Sequence, residues 1–217
     1  MRRYSRISLV ILLLPAFAAA QGDREGYWDA GFHVANHSSL SLSGFGGASM
    51  QVDGDTGYGF SGAYNFTDHI ALGLDASWRR PNYVATFVPD GPGPTRIIGA
   101  RMDVSRVHFK GIFYFLESRI TPFIELGVGW TNIDSNILQR PPITGCWWDP
   151  WWGLICQNVY STYTETKTSY GGAVGIRWDT RGNVALRGSI GVLEIDRARG
   201  VQNSSVDTTQ LELVWRF

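Results

Sequence analysis

After residue 20 the sequence contains no long apolar run. No helix of the mature chain can therefore cross a membrane, which takes roughly 20 apolar residues. A helical hydrophobic period is missing as well. Cysteine is scarce: Cys146 and Cys156 are the only two. A metal centre needs more ligands than this pair, and no His stands near it in the sequence. A basic excess is also absent. Without the three Arg of residues 1–20, 16 basic side chains face 19 acidic ones, a net charge of −3. That balance excludes a nucleic-acid binder.

Residues 1–20 read as a leader. Arg2, Arg3 and Arg6 make a basic start, ISLVILLLPAF at 7–17 is a short apolar core, and Ala18 to Ala20 offer a cleavage site. No Cys opens the mature chain to carry a lipid anchor. Residues 21–217 suit one domain. In an exported chain, Cys146 and Cys156 are expected to form one disulfide. Twenty-six Gly and many aromatics point to β structure.

The period is two almost everywhere. Trp28, Ala30, Phe32 and Val34 alternate with Asp29, Gly31, His33 and Ala35. Seven further segments follow the same rule: 57–64, 70–78, 107–115, 124–130, 169–178, 184–192 and 209–217. The fourth of the eight, 107–115, is the least clean. Each spans roughly eight to eleven residues, near the ~9–11 that a tilted strand needs to cross a bilayer. One face is large and apolar; the other holds Gly, Ser, Ala and charges. A soluble sandwich would bury the first face, whereas a membrane barrel turns it to lipid.

The links alternate. Those at 65–69, 116–121 and 179–183 are short; those at 36–56, 79–100, 133–162 and 196–205 are long. This predicts an all-β, eight-stranded antiparallel up-and-down transmembrane barrel with tight periplasmic turns and long extracellular loops. With both termini periplasmic, Trp28, Trp178 and Trp215 fall at one level and Trp78 and Trp130 at the other. All five have the lipid-facing parity, as two aromatic girdles would.

Three stretches carry a resemblance. YNFTDHIALGL at 64–74 resembles the first periplasmic turn of small outer-membrane barrels, and TPFIELGVGW at 121–130 resembles their fifth strand. The ending LELVWRF at 211–217 resembles their C-terminal signal, with Leu213, Trp215 and Phe217 on one face. The chain thus resembles the eight-stranded outer-membrane β-barrel superfamily of outer membrane protein A, the X- and W-type proteins and the opacity adhesins. That resemblance implies residence in a Gram-negative outer membrane, contact with its lipid and lipopolysaccharide, and assembly by the barrel assembly machinery and periplasmic chaperones. It implies a monomer without cofactor. Roles in the superfamily span structural proteins, adhesins, channels for small or hydrophobic solutes and lipid-modifying enzymes. The peptidoglycan-binding domain of outer membrane protein A is not expected here.

Inward parity collects Asp75, Lys110, Glu125, Arg177, Arg187, Glu212 and Arg216. Eight strands leave room for little but side chains, so these charges are expected to pair as an internal plug; the alternative is a narrow gated pore. His37 and Ser39 have the spacing of a deacylase His-x-Ser pair, but no acid can be assigned to orient the His, and catalysis is not expected. His33 shares the face of His37 without a third metal ligand. DGDTG at 53–57 reads as a turn rather than a calcium loop, and GPGP at 91–94 as solvated chain.

The stretch CWWDPWWGLIC, 146–156, lies in the third outer link. Trp147, Trp148, Trp151 and Trp152 are four of the nine Trp. A disulfide across them contributes roughly 2–3 kcal/mol to local order. Three readings stand: a stapled hairpin whose rings pack on one another, an aromatic contact surface for lipopolysaccharide, glycan or protein, or a strand extension with Trp at the outer-leaflet boundary.

Overall fold

The structure is a computed structural model that describes residues 23–43, 47–87, 94–139, 143–159, 161–196 and 204–217. The leader at 1–20, and residues 91–93 of the GPGP stretch, lie outside the described residues. Among these residues fourteen strands run in order: β1 (Trp28–His37), β2 (Leu40–Ser43), β3 (Ser49–Val52), β4 (Asp55–Asn65), β5 (Ile70–Arg79), β6 (Asn82–Phe87), β7 (Arg96–Arg101), β8 (Asp103–Tyr114), β9 (Ile120–Leu138), β10 (Ile143–Asp149), β11 (Gly153–Val159), β12 (Thr162–Asp179), β13 (Val184–Ile195) and β14 (Ser204–Arg216).

Eight of them close a barrel in the order β1-β14-β13-β12-β9-β8-β5-β4, every neighbour antiparallel. The period-two pattern sets the register. Phe32 of β1 lies between Phe60 and Leu213, all on the outer face, while His33 lies between Gly59 and Glu212 on the inner. The blurred segment at 107–115 has a physical cause. The inner face of β8 carries apolar Val104, Ile112 and Tyr114 as well as His108 and Lys110, so its polarity does not alternate cleanly.

The long links differ from expectation. They are not simple loops, because six strands lie within them. β2, β3, β6 and β7 form a four-stranded outer sheet, and β10 and β11 a separate hairpin. The outer sheet has its own core: Val52, Tyr83, Ala85, Met102 and Val104 are buried, with Leu40, Met50, Ile133 and Ile137 packed against them. Tyr83 donates its hydroxyl to Ser135 O at 3.0 Å, tying this sheet to β9.

β9 and β12 stay paired past Trp130 as far as Leu138 and Thr162. One asparagine fastens this extension. Asn136 sits in the left-handed region with φ 55°, which Asn tolerates better than most residues. Its N–H donates to Asp134 at 2.9 Å, and its side-chain amide donates to Asp103 at 2.9 Å and Arg101 O at 2.8 Å. Thr162 and Thr164 also donate to Asp134. Hydrogen bonds from Asn136 hold both carboxyls below the ordinary carboxylate range.

Two outcomes follow from this packing. Tyr83→Ala should cost the outer sheet about 3 kcal/mol and open residues 79–102 to protease, while the barrel keeps its heat-modifiable migration. A carboxylate with a folded pKa below its unfolded value, ~3.9, stabilises above that value and loses its effect as pH falls through the folded one. Protection of the amides at residues 133–138 from exchange, relative to their intrinsic rates, should therefore fall below about pH 4, and Asp103→Asn with Asp134→Asn should abolish that pH dependence.

Candidate functional site

The lumen is layered. At the end that carries both termini, Arg177 donates to Asp29 at 2.5 Å, to Asp179 at 2.9 Å and to the Tyr114 hydroxyl at 2.9 Å. Arg216 reaches Asp179 at 2.5 Å from the rim. Arg24 lies before the first strand yet is fully buried. It donates to the carbonyls of Asp68, Ser118 and Leu116, which lie in two short turns, and to Asp179 at 3.1 Å. The guanidinium groups of Arg24 and Arg177 stand 4.9 and 5.3 Å from the Tyr114 ring centre. This floor draws on five stretches of sequence: 24–29, 68, 114–118, 177–179 and 216.

Above it, Lys110 bridges Asp75 at 3.2 Å and Glu125 at 2.8 Å, and Arg106 takes the other oxygen of Asp75 at 3.0 Å. Arg187 pairs with Glu212 at 2.8 Å, and the Ser61 hydroxyl donates to the same carboxylate oxygen. Gly31 faces this pair: a Cβ there would collide with both the Glu212 carboxylate and the Ser61 hydroxyl. His108 and Thr131 converge on the Ser169 hydroxyl at 2.7 and 2.8 Å. A cavity of about 40 Å³ beside Lys110 and Glu125 has room for a few waters.

Nearer the outer mouth the lumen turns apolar. Leu193, Ile195, Val104 and Val206 are buried there. A cavity of about 550 Å³ opens between them and the outer sheet, lined by Leu40, Leu42, Met50, Met102, Ile133 and Tyr163 among others. Arg79, Glu165, Lys167 and Asp196 supply its charged edge. Its volume is in the ordinary range for small-molecule sites, ~300–1,000 Å³.

Farther along, β10 and β11 pair Cys146 directly opposite Cys156, and the two form a disulfide. Asp149 pairs with Gly153, leaving a three-residue connection, Pro150-Trp151-Trp152. Pro150 presets φ for entry to the turn, and Gly153 at φ 77° takes the left-handed position that closes such hairpins. Trp151 and Trp152 are thereby placed at the apex, 87% and 80% exposed. Trp148 and Leu154 pair across the strands on the disulfide's face and are 74% and 67% exposed. The side chain of Trp147 lies outside the described residues.

The sequence profile of the outer membrane protein beta-barrel domain matches residues 7–217. The chain belongs to that family. Neisserial surface protein A shares the fold at 14% identity, with a TM-score of 0.55 over 89% of this chain and 100% of its own. So does the outer membrane protein OprG of Pseudomonas aeruginosa, at 16% identity, with a TM-score of 0.53 over 91% of this chain and 98% of its own. No curated protein sequence matches. The chain is therefore an integral protein of a Gram-negative outer membrane.

In this outer-membrane barrel the five outward Trp lie at two levels. Trp130 pairs with Thr168, and Trp178 is ten residues further along β12. That is about 33 Å of strand, or about 25 Å of height at a tilt near 40°, the height of an outer-membrane apolar band. Trp28 and Trp215 fall beside the closing pair of β1 and β14 at the Trp178 end, and Trp78 pairs with Tyr58 at the other.

All seven charges expected in the lumen take part in ion pairs, but the group omits their partners Asp29, Asp179 and Arg106, and Arg24, which shares Asp179. Asp29 had the inward parity in plain view. Asp179 ends β12 within a predicted turn, and Arg24 precedes every strand, where no periodicity reports. His37 is buried and Ser39 exposed, because the strand ends between them. Of DGDTG, only Asp53 and Gly54 connect strands. Asp55 already belongs to β4 and pairs with Arg79 at 2.9 Å, a correction to the turn expected over all five residues.

Arg187→Leu should leave Glu212 buried with only a hydroxyl and cost about 3–5 kcal/mol. Arg187→Leu with Glu212→Leu should recover most of that loss. Urea unfolding from lipid vesicles measures both.

Proposed function

We propose that the protein is a surface-interaction scaffold of the outer envelope. The observation that carries this reading is the contrast between its two halves. Ion-paired side chains occupy the lumen from Arg24 up to Arg106, while the strands continue outward into an ordered sheet with its own core. A wall of that kind suits anchoring rather than passage, and the outer sheet and hairpin suit display to glycan or protein partners. In this reading residues 1–20 direct export and are removed. Leu213, Trp215 and Phe217 guide assembly by the barrel machinery, with periplasmic chaperones upstream. The two Trp levels mark the lipid boundaries, the outer leaflet being lipopolysaccharide, and the folded unit is a monomer.

A second reading is favoured by the 550 Å³ apolar cavity: capture of hydrophobic solutes, in the manner of a W-type channel. Planar bilayers separate the two. The scaffold reading expects no stable conductance steps and no solute uptake by proteoliposomes. Discrete steps, or uptake abolished by filling the cavity with Met50→Trp, would replace it with the channel reading.

A further inference from the structure

We infer that the β10–β11 hairpin is a membrane-engaging tip, which places Trp148, Trp151, Trp152 and Leu154 in the interfacial zone of a second, opposing lipid bilayer with zwitterionic headgroups. This rests on the surface-display reading and names one partner for it.

The chemistry of the segment narrows the partner. From Ile143 to Val159 the single charged residue is Asp149, and there is no Lys, Arg or His. Anionic partners such as sulfated glycans and the phosphates of lipopolysaccharide are held by cationic side chains, and the hairpin offers none. The surface it does offer is aromatic at the apex and aliphatic beside it. Indole rings are favoured at headgroup level, where one edge is apolar and the other wet. Leu154, opposite Trp148, adds aliphatic area that suits acyl chains rather than a hydrated sugar face.

The shape fits the same partner. The disulfide, Pro150 and the left-handed Gly153 fix the apex before contact, so little conformational freedom is lost on insertion. Position adds the direction. β9 runs eight residues from the outer girdle at Trp130 to Leu138 before the hairpin begins. At ~3.3 Å per residue that is about 26 Å of strand beyond the protein's own membrane boundary.

The test uses the full chain in lipid nanodiscs mixed with phosphatidylcholine vesicles. Co-flotation reports binding, and brominated phosphatidylcholine in the vesicles alone quenches only Trp that insert in trans. The wild type is expected to float with the vesicles and be quenched by them. W151S/W152S should lower partitioning at least about 10-fold, a loss of ~1.4 kcal/mol. W151F/W152F should keep most of it. Heat-modifiable migration and an intact disulfide on non-reducing gels establish that each variant is folded. With no basic residue in the tip, binding should be insensitive to salt and to added phosphatidylserine. Absence of flotation, flotation unchanged in W151S/W152S, or dependence on anionic lipid would overturn the inference. So would quenching confined to brominated lipid in the disc, which would mean insertion into the protein's own membrane. If vesicle binding is absent while attachment to cells is still lost on replacing 146–156 by a Gly/Ser linker, this inference fails and the display reading stands.

Discussion

A strand crossing a bilayer has no water with which to pair its backbone, so every N–H and C=O needs a partner within the protein. Here that condition is met by one closing seam, the pairing of β1 with β14 from Asp29–Arg216 to His37–Thr208. Without it, eight amphipathic strands would be an open sheet with two unsatisfied edges in lipid. With it, each outward residue is committed to lipid and each inward residue to a lumen too narrow for bulk solvent. The rest of the molecule is arranged around that division.

The division makes charge inside the lumen costly unless it is paired. The protein meets this with clusters rather than isolated pairs. Asp75 is shared by Lys110 and Arg106, and Asp179 by Arg24, Arg177 and Arg216. Gly31 contributes by omission, leaving space for Glu212 to reach Ser61 and Arg187. The apolar tier above these clusters is continuous with the core of the outer sheet, which places the 550 Å³ cavity at the extracellular mouth.

Outside the membrane the constraint relaxes and the architecture changes with it. Strands longer than the bilayer needs carry the fold outward, pinned by Asn136 and Tyr83. The hairpin repeats, on a smaller scale, the use of Trp seen in the barrel wall. Trp28, Trp78, Trp130, Trp178 and Trp215 stand on the outer face of the wall, whereas Trp151 and Trp152 crown a stapled turn.

The sequence by itself determined the membrane-spanning part. Period-two alternation fixes which side chains face lipid, the short and long links fix the up-and-down order, and the Trp positions fix the two levels. These are local properties, legible because each residue's face depends only on its parity. Tertiary structure alone decided the rest. Arg24 entered the floor from outside any strand, because the carbonyls of two turns and the Asp179 carboxylate converge there. The outer links became a sheet because β3 and β6 come from different hairpins and meet only when the barrel below brings them side by side. Parity tells a side chain which way to point; it does not tell it which partner stands across a closed barrel, since that depends on curvature and register summed over all eight strands.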